Sequence, residues 1–487
     1  MKSTHPVHAP LRYLAEQAFS RAAGAPLIPG NSVRLLRDAT ENYPAWLEAI
    51  QAAERWVHFE SYIISNDSTG REFIEALAAK AREGVRVRLV YDWIGTQRFT
   101  WSRFWRSLLE AGAEVRCFNP PRLDSPLGWL SRDHRKMIAV DGQVGYVTGL
   151  CVSDKWQGDP ERGIEPWRDT GVEVQGPAVA DIERAFAQVW AATGPELPED
   201  ELPDIDCVPA VGDTALRVIA TAPNTTGLYR LDQLIAALAR QTLWLTDAYF
   251  VGVAPYVHAL RAAATDGVDV RLLVPGASDI PVLKPLTRAG YRPLLEAGIR
   301  VFEWNGTMLH AKTAVADSHW ARVGSTNLNL ASWIGNYELD VAVEDEQFAR
   351  TLERMYREDL SHATEIVLSP KRKVQQADEL RRQRIKGSRG SSGRAAAGAL
   401  RIANSIGAAI TSKRVLGPAE AKIMGMTGTL LLAIAVIAGL WPLVVAIPLA
   451  LATGWTAVTF LVKAWRLRRL GKNETPSQPK PRKKPFA

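Results

Sequence analysis

Cysteine is scarce in this chain of 487 residues, which contains three, Cys117, Cys151 and Cys207. Their number is odd and their spacing matches neither a metal-binding nor a redox motif, which argues against a disulfide framework. The first residues also lack the continuous apolar stretch that follows the positive charge in a secretory signal. These absences predict that the bulk of the chain stays in the reducing cytoplasm.

Positive charge is in deficit over the first 370 residues, which hold 37 Lys and Arg against 48 Asp and Glu, a net charge of −11. The overall charge of +7 arises because residues 371–422 carry 13 basic and 3 acidic residues and residues 463–487 carry 9 and 1. Nucleic-acid-binding proteins concentrate basic residues on the binding surface, since neutralised phosphates supply much of their affinity. The acidic body therefore argues against a nucleic acid as partner.

Charged residues are absent from residues 423–462, a stretch of 40 positions. One helix crosses a bilayer with about 20 apolar residues, so this length fits two crossings with a turn near Trp441 and Pro442. Basic residues flank both sides, and the positive-inside rule then places both ends in the cytoplasm, as a hairpin requires. A transmembrane helical hairpin is the expectation, and a half-inserted hairpin or a buried helical pair are the alternatives.

Residues 371–422 predict a basic linker and residues 463–487 a basic, disordered tail. Part of the linker, residues 394–415, is either a weakly amphipathic helix lying on anionic headgroups or a solvated tether. With the hairpin, these segments predict a carboxy-terminal anchor that binds the membrane bilayer.

The first 370 residues contain one pattern twice, which divides them into a first module, residues 1–210, and a second module, residues 211–370. Five segments recur in the same order, among them EALAAKAREGVRVRLVYD with HALRAAATDGVDVRLLVP and DTGVEV with ELDVAV. Strand-like runs alternate with helical segments that end before Gly84, Gly112, Gly267 and Gly298. The fold class predicted is a duplicated α/β module.

Each module contains a histidine, a lysine two positions later and an aspartate five positions after that. These candidate catalytic residues are His134, Lys136, Asp141, His310, Lys312 and Asp317. A single histidine of this kind would be interpreted as a hydrogen-bonded core residue as readily as a catalytic one. Two matches at equivalent places in a repeat are a strong signal of a catalytic motif. Because strand side chains alternate, each histidine and its lysine are expected at the start of a strand, on one face.

These residues resemble the phospholipase D superfamily and, within it, the bacterial cardiolipin synthases. Over residues 30–365 the resemblance includes Glu60, Tyr62, both motifs, the turn with Gly324, Ser325 and Asn327, and Asn336 with Glu338. It implies two pseudo-twofold-related modules with both motifs in one cleft, and neither a metal nor another cofactor. It also implies that His134 is the nucleophile that forms a phosphohistidine and that His310 protonates the leaving alcohol, with the roles reversed in the second step.

Phosphodiester chemistry independently requires such a set of residues. An anionic and unreactive diester needs positive charge, here Lys136 and Lys312, together with a nucleophile and a proton donor. Each imidazole also needs an acceptor on its second nitrogen, and the aligned segments DTGVEV and ELDVAV offer Asp169 and Glu338, which match the family's carboxylates.

Three features complete the comparison with the family's motifs. Ser325 and Asn327 are predicted to bind the phosphate oxygens of the substrate. At the strand ends, Asp141 and Asp317 look structural. Cys151 stands where cardiolipin synthases usually have asparagine, and the apolar segment follows the catalytic body instead of preceding it, which indicates a different subfamily.

The function predicted is phosphatidyl transfer from phosphatidylglycerol to a lipid hydroxyl, as in a cardiolipin synthase, with anionic phospholipids as substrates. A hydrolase that uses water as acceptor, a nucleic-acid phosphodiesterase and an inactive membrane scaffold are the alternatives. The expected location is the bacterial cytoplasmic membrane, with a multi-pass carboxy-terminal anchor and the catalytic body facing the cytoplasm.

Overall fold

The computed structural model describes residues 8–96, 103–121, 131–159, 161, 163–203, 208–280, 283–368 and 374–376, and single positions between 429 and 458. The predicted hairpin and tail, and the linker beyond residue 376, lie outside these residues apart from those single positions. Across the described residues, no helix has the length and apolarity that a membrane crossing needs. The described residues up to 376, except Pro121, belong to one compact unit.

The single positions between 429 and 458 belong to a second compact unit. All of them are helical, and their large apolar side chains are exposed. Examples are Leu432, Val436, Leu440 and Leu451.

The first module contains seven described strands and seven described helices. The strands are β1 (Ile28–Arg37), β2 (Trp56–Ser61), β3 (Arg86–Asp92), β4 (Glu114–Phe118), β5 (Lys136–Val140), β6 (Val144–Thr148) and β7 (Thr170–Gln175). The helices are α1 (His8–Ala23), α2 (Asp38–Ala52), α3 (Ser68–Arg82), α4 (Trp93–Thr96), α5 (Arg106–Glu110), α6 (Asp154–Gln157) and α7 (Val179–Thr193).

The second module repeats this series and adds two strands at its end. Its described strands are β8 (Thr214–Thr221), β9 (Thr242–Thr246), β10 (Asp269–Pro275), β11 (Arg300–Trp304), β12 (Thr313–Ala316), β13 (Trp320–Gly324), β14 (Glu338–Val343), β15 (Ala363–Leu368) and β16 (Val374–Gln376). Its described helices are α8 (Gly227–Leu238), α9 (Ala254–Thr265), α10 (Leu283–Ala289), α11 (Tyr291–Leu295) and α12 (Glu346–Ser361). Strand β16 lies within the segment predicted as the basic linker.

The strand order shows the duplication directly. From the centre outward, the first module runs β1-β7-β6-β5-β2-β3-β4 and the second β8-β14-β13-β12-β9-β10-β11, followed by β15 and β16. In each module the last three of the seven shared strands are parallel and the others antiparallel. Strands β1 and β8 pair antiparallel and join the halves. The predicted duplicated α/β module is confirmed.

Local sequence explains where these elements end. Four glycines that follow helices have φ between 87° and 96°, the left-handed conformation that glycine adopts most readily and that terminates a helix: Gly84, Gly112, Gly267 and Gly298. Between β5 and β6, Asp141 and Gly142 also have positive φ, and the Gln143 N–H donates to the Val140 carbonyl at 2.9 Å, which closes a tight turn within the three-residue connection.

Three hydrophobic cores hold the layers together. The central core contains residues of both modules, such as Val147 and Val172 with Val323 and Val341, and it also includes α7 and α12. Helices α2 and α3 cover the other face of the first module's sheet, and α8 and α9 cover that of the second. Because the central core is shared, the two modules are held face to face, and residues near β6, β7, β13 and β14 meet.

Candidate active site

Each motif histidine lies in an extended segment that pairs with the opposite module. Asp133 forms a parallel bridge with Tyr337, and Leu309 forms one with Arg168. The N–H of His134 donates to the Tyr337 carbonyl at 2.9 Å, and that of His310 to the Arg168 carbonyl at 2.7 Å. The histidines therefore lie two and three residues before the first residues of β5 and β12, close to the strand starts at which the sequence pattern predicts them.

This pairing exchanges carboxylates between the modules. The Nδ1–H of His134 donates to Glu338 Oε2 at 2.9 Å, and the Nδ1–H of His310 donates to Asp169 Oδ2 at 2.7 Å. An ionised carboxylate can only accept, which assigns the proton to Nδ1 and leaves Nε2 of each imidazole for chemistry. Lys312 Nζ lies 2.8 Å from Nδ1 and 3.2 Å from Nε2 of His310, so this ammonium group is adjacent to the reactive nitrogen of His310. Each histidine is thus oriented by a carboxylate from the other half of the protein.

The two lysines lie beside the histidines and are buried with them. Lys136 Nζ donates to the carbonyl of His134, and Lys312 Nζ donates to that of His310. Burial lowers the pKa of Lys312 to about 8, with Lys136 also lowering it and Asp169 opposing both. The ammonium groups of the two modules therefore occupy one electrostatic environment.

The two imidazoles belong to that same environment. Burial, Lys136, Lys312 and the neighbouring His310 lower the pKa of His134 well below its usual value. Burial and Lys312 lower the pKa of His310 to about 4, although Asp169 acts in the opposite direction. The structure thus brings both histidines and both lysines together in a single cationic, largely dehydrated cluster, in which a bound anion would raise the pKa of either imidazole.

The two orienting carboxylates differ in the direction in which their pKa values are shifted. Burial would raise the pKa of Asp169, but His310, Lys312 and a hydrogen bond from Trp156 outweigh it and the pKa lies below the usual value. For Glu338 burial prevails, and its pKa is raised despite Lys136 and several hydrogen bonds. His310 therefore faces the more firmly ionised partner, which favours a protonated imidazole there.

Comparison with known proteins identifies the family. Residues 46–190 and 232–360 match the family model described as the cardiolipin synthase, PLD-like domain. The chain belongs to this family of the phospholipase D superfamily. Cardiolipin synthase A of Pseudomonas fluorescens is 33% identical over 378 residues, which cover 76% of each chain. The cardiolipin synthase of Alkalihalophilus pseudofirmus is 32% identical over 349 residues, 71% of this chain and 69% of that one.

A solved structure shares the fold of this chain. The phosphatidylserine synthase of Haemophilus influenzae aligns with a TM-score of 0.59 over 72% of this chain and 92% of its own. Its sequence is 12% identical, so the likeness concerns the fold alone.

The aspartates of the two family motifs are not brought to the histidines. Asp141 lies at the far end of β5, where its carboxylate accepts from the backbone N–H groups of Glu54, Arg55 and Trp56 at 2.7 to 2.8 Å. Asp317 makes the corresponding three bonds, at 2.8 to 2.9 Å, to the residues that lead into β9. The prediction that these two aspartates are catalytic is therefore corrected. Each one fastens a hairpin turn to a neighbouring strand.

The structure also corrects the role predicted for Ser325. Its hydroxyl donates to Glu338 Oε2 at 2.6 Å and accepts from the Leu339 N–H at 2.9 Å, so its one proton is already used. Ser325 thereby orients Glu338 and not a phosphate oxygen. Asn327 is buried, and its Oδ1 has no hydrogen-bond partner among the described residues.

The first module differs at the equivalent turn. A Cβ added at Gly149, the counterpart of Ser325, would come within 2.2 Å of Asp169 Oδ1, so a serine there would displace the carboxylate that orients His310. Cys151, the counterpart of Asn327, is buried, and burial raises the pKa of its thiol even though Lys136 and Lys312 oppose this. A protonated thiol is a poor nucleophile.

Sequence reasoning missed two side chains that contact the histidine cluster. Trp156 Nε1–H donates to Asp169 Oδ2 at 2.9 Å. The positive charge of Arg132 lowers the pKa of His134, and the ring of Tyr62 lies 4.9 Å from the ring of His134. The position of Arg132 two residues before His134 was an available signal, whereas Trp156 lies outside the recurring segments. Among the described residues, no group of three His, Cys, Asp or Glu side chains is arranged to hold a metal ion.

Proposed function

We propose that the protein is a phospholipid phosphatidyltransferase that acts as a cardiolipin synthase, moving a phosphatidyl group from phosphatidylglycerol to the hydroxyl of a second lipid. The observation that carries this proposal is the exchange of Glu338 and Asp169 between modules, which joins His134 and His310 in one cationic cluster. Relatives named cardiolipin synthase, about a third identical over most of the chain, support the choice of substrate.

In the first step, Nε2 of His134 attacks phosphorus, the bond to the glycerol oxygen breaks, and His310 gives its Nε2 proton to that oxygen. The low pKa of His134 supports a neutral nucleophile, and the ionised Asp169 supports a protonated His310 once the anionic diester is bound. The products are glycerol and a phosphatidyl-enzyme, in which His134 is a phosphohistidine.

In the second step, His310 accepts the proton of a lipid hydroxyl, and the resulting oxygen attacks phosphorus while the bond to His134 breaks. One phosphodiester replaces another, so no separate source of energy is required. Lys136 and Lys312 neutralise the phosphate oxygens throughout, and an interaction of about 4 kcal/mol between charges 4 Å apart is expected at an effective dielectric constant of about 20. Asn327 is the further phosphate ligand in this scheme.

The rest of the chain supports action at a membrane. Residues 1–210 and 211–370 serve as the two catalytic modules, residues 371–422 as a basic linker, residues 423–462 as a transmembrane hairpin and residues 463–487 as a basic tail. The cationic segments would hold the cleft against anionic lipid of the bacterial cytoplasmic membrane, with the body in the cytoplasm. The net charge of −11 over the first 370 residues argues against a nucleic-acid substrate.

Mass spectrometry of the lipids formed by the purified full-length protein tests this proposal. Vesicles of phosphatidylglycerol, with and without phosphatidylethanolamine, should yield cardiolipin and free glycerol, and the His134→Ala variant should yield neither. Phosphatidic acid as the sole lipid product would instead identify a hydrolase. The absence of any new lipid would refute both activities.

A further inference from the structure

The repeat contains one further pair of equivalent residues, Tyr62 and Tyr249, which the two steps described above do not use. They take the same place in the recurring segments WVHFESYII and LWLTDAYFV. Tyr62 directly follows β2 and Tyr249 lies three residues after β9, and these strands pair with β5 and β12, which follow the two motif histidines. Each tyrosine therefore lies beside the motif of its own module.

In the first module, the ring of Tyr62 contacts both residues of the motif. Its centroid lies 4.9 Å from that of the His134 ring, with the planes at 63°, and Lys136 Nζ lies over its face, 5.2 Å from the centroid. A cation within about 6 Å of a ring centroid is attracted by the negative face of the aromatic quadrupole. Burial raises the pKa of Tyr62 to about 12, so the phenol is neutral at physiological pH. Tyr62 is thus an uncharged partner of a buried ammonium group.

The second module repeats this arrangement with Tyr249. The centroid of its ring lies 5.7 Å from that of His310, with the planes at 81°, and Lys312 Nζ lies over its face, 6.0 Å from the centroid. The hydroxyl donates to Asp279 Oδ1 at 2.9 Å, so the phenol is protonated and it is the ring that contacts the motif. Both modules therefore place one tyrosine ring against one histidine and one lysine.

The two ammonium groups have no carboxylate in direct contact. Lys136 and Lys312 are each 1% exposed and donate to the carbonyls of His134 and His310. Within the part of the chain that the structure describes, no carboxylate oxygen lies within 4 Å of either nitrogen. A buried charge without a partner is destabilising, but a carboxylate in contact with the lysine would neutralise it and repel an anionic phosphodiester. An aromatic face stabilises the cation and leaves its charge available to the substrate.

Other titratable groups also act on the two lysines. Those that act on Lys312 are Asp169, Lys136, Asp247, Cys151 and His310. Those that interact with Lys136 are Glu60, Glu338, Cys151, His134, His310 and Lys312. The aspartates that act on Lys312 are hydrogen-bonded to other groups. Asp169 accepts from His310, and Asp247 accepts from the backbone N–H groups of Leu328 and Tyr249 at 2.7 and 3.1 Å. The tyrosine rings are therefore uncharged groups that face the ammonium nitrogens themselves.

We propose that Tyr62 and Tyr249 are positioning residues whose ring faces keep Lys136 and Lys312 charged and directed toward the bound phosphate group. The inference rests on the proposed function, in which the two ammonium groups neutralise phosphate oxygens, and it adds what keeps them charged in a buried site. Each ring favours the protonated lysine over the neutral amine. Weakening the negative ring face without changing the shape of the ring should therefore let the lysine lose its proton at lower pH.

Sulfate binding, measured by titration calorimetry on the full-length protein, tests this inference without turnover. Sulfate carries two negative charges throughout the neutral and alkaline range, so a change in its affinity there reports the protein. The wild-type protein should bind sulfate progressively more weakly above about pH 8, because Lys312, whose pKa is lowered to about 8, loses its charge. Lys312→Gln should remove this alkaline loss, which assigns it to the lysine.

Replacement of Tyr249 by pentafluorophenylalanine is the decisive change. Fluorine withdraws electron density from the ring face, while the ring keeps nearly the same size. The alkaline loss of sulfate affinity should then move to lower pH by about half a unit to one unit. Tyr249→Phe keeps the ring face and removes only the hydroxyl bonded to Asp279, so it should leave the loss at the wild-type pH. The same two substitutions at Tyr62 should give the same pattern through Lys136.

Pentafluorophenylalanine in place of Tyr91 is the control for fluorination itself. Tyr91 is 6% exposed, and its ring stacks on that of Trp105 with centroids 4.6 Å apart and planes at 14°. Because this ring faces an indole and not a lysine, its fluorination should leave the pH dependence of sulfate binding unchanged.

An unchanged alkaline loss with the fluorinated ring at both positions, or an equal shift with phenylalanine, would overturn the inference. If the protein with a fluorinated ring in place of Tyr249 does not fold, the series at Tyr62 decides. Sulfate binding requires no lipid chemistry, so a protein that shows the expected shifts but forms no cardiolipin would overturn the proposed function while the inference about the lysines stands.

Discussion

Replacing Asp169 with asparagine is the most direct test of the exchanged carboxylates. Asp169 Oδ2 lies 2.7 Å from Nδ1 of His310, and the burial of both groups excludes water from the contact. The substitution keeps the size of the side chain and removes its charge, so it isolates the electrostatic contribution of the pair.

The expected effect follows from the charge that His310 must carry. Charges centred about 4 Å apart attract by about 4 kcal/mol at an effective dielectric constant of about 20, which corresponds to a factor of about a thousand in rate. Because His310 acts as acid in the first step and as base in the second, Asp169→Asn should lower the rates of phosphatidyl-enzyme formation and of transfer to the acceptor alike.

Rapid-quench measurement of phosphatidyl-enzyme formation and of its decay on addition of acceptor lipid separates the two steps. Asp345→Asn is the matched control, because Asp345 caps α12 by accepting from the Phe348 N–H at 2.7 Å and asparagine caps a helix equally well. A rate for Asp169→Asn within tenfold of the wild type, with the control unaffected, would refute the role given to the Asp169 charge.

Four further outcomes are expected. His134→Ala should form no phosphatidyl-enzyme, whereas His310→Ala should form it slowly and accumulate it, and trapping that needs His310 but not His134 would reverse the assigned roles. Asp141→Ala should lower stability by about 1–3 kcal/mol, seen as a lower melting temperature, while folded molecules keep their activity. Cys151→Ser should retain turnover, since the thiol is protonated. At pH values above about 8 the KM should increase. The reason is that the pKa of Lys312 is lowered to about 8, so this lysine is charged below that pH and loses its charge above it. A KM that stays constant up to pH 10 would contradict this.

Much of the fold was readable from the sequence because its signals are local. The strand-like runs VRVRLV and VDVRLL within the two repeated segments predicted β3 and β10, which the structure places at Arg86–Asp92 and Asp269–Pro275. Helix ends before Gly84 and Gly267 follow from a glycine in the left-handed conformation, a requirement of one residue and its neighbours.

The pairing of the histidines with their carboxylates was not readable in the same way. Alignment of the repeats identified Asp169 and Glu338, but it contained no information about which imidazole each would orient. That choice depends on the bridges of Asp133 with Tyr337 and of Leu309 with Arg168, which join segments distant in the chain. No periodicity of either segment encodes such a contact.

Two side-chain roles were hidden for a different reason. A serine in a phosphate-binding turn has the same sequence signature whether its hydroxyl bonds substrate or a neighbouring carboxylate, and only the 2.6 Å contact of Ser325 with Glu338 distinguishes them. Trp156 lies in DKWQ, and the matching position of the second module holds Ser332, so comparison of the repeats passed over it.

Because each module supplies the carboxylate that orients the other module's histidine, sequence differences between the modules make the two imidazoles chemically different. Two identical halves would hold two identical imidazoles, which could not act as acid and nucleophile at one pH without a substrate to distinguish them. Gly149 allows Asp169 to approach the backbone closely, whereas Ser325 supports the longer Glu338.

Contacts next to these carboxylates keep the unlike pairs assembled. Arg168, which precedes Asp169, makes a bidentate contact with Asp359 of the other module at 2.8 to 2.9 Å. Arg135, which follows His134, donates to the carbonyls of Glu338 and Thr221. Separating the modules would remove the orienting carboxylate from both histidines at once and would remove from these arginines the acceptors that the second module supplies, at a cost of several kcal/mol. Neither module can therefore hold a correctly oriented imidazole alone, and the difference between the two pairs exists only in the assembled pair of modules.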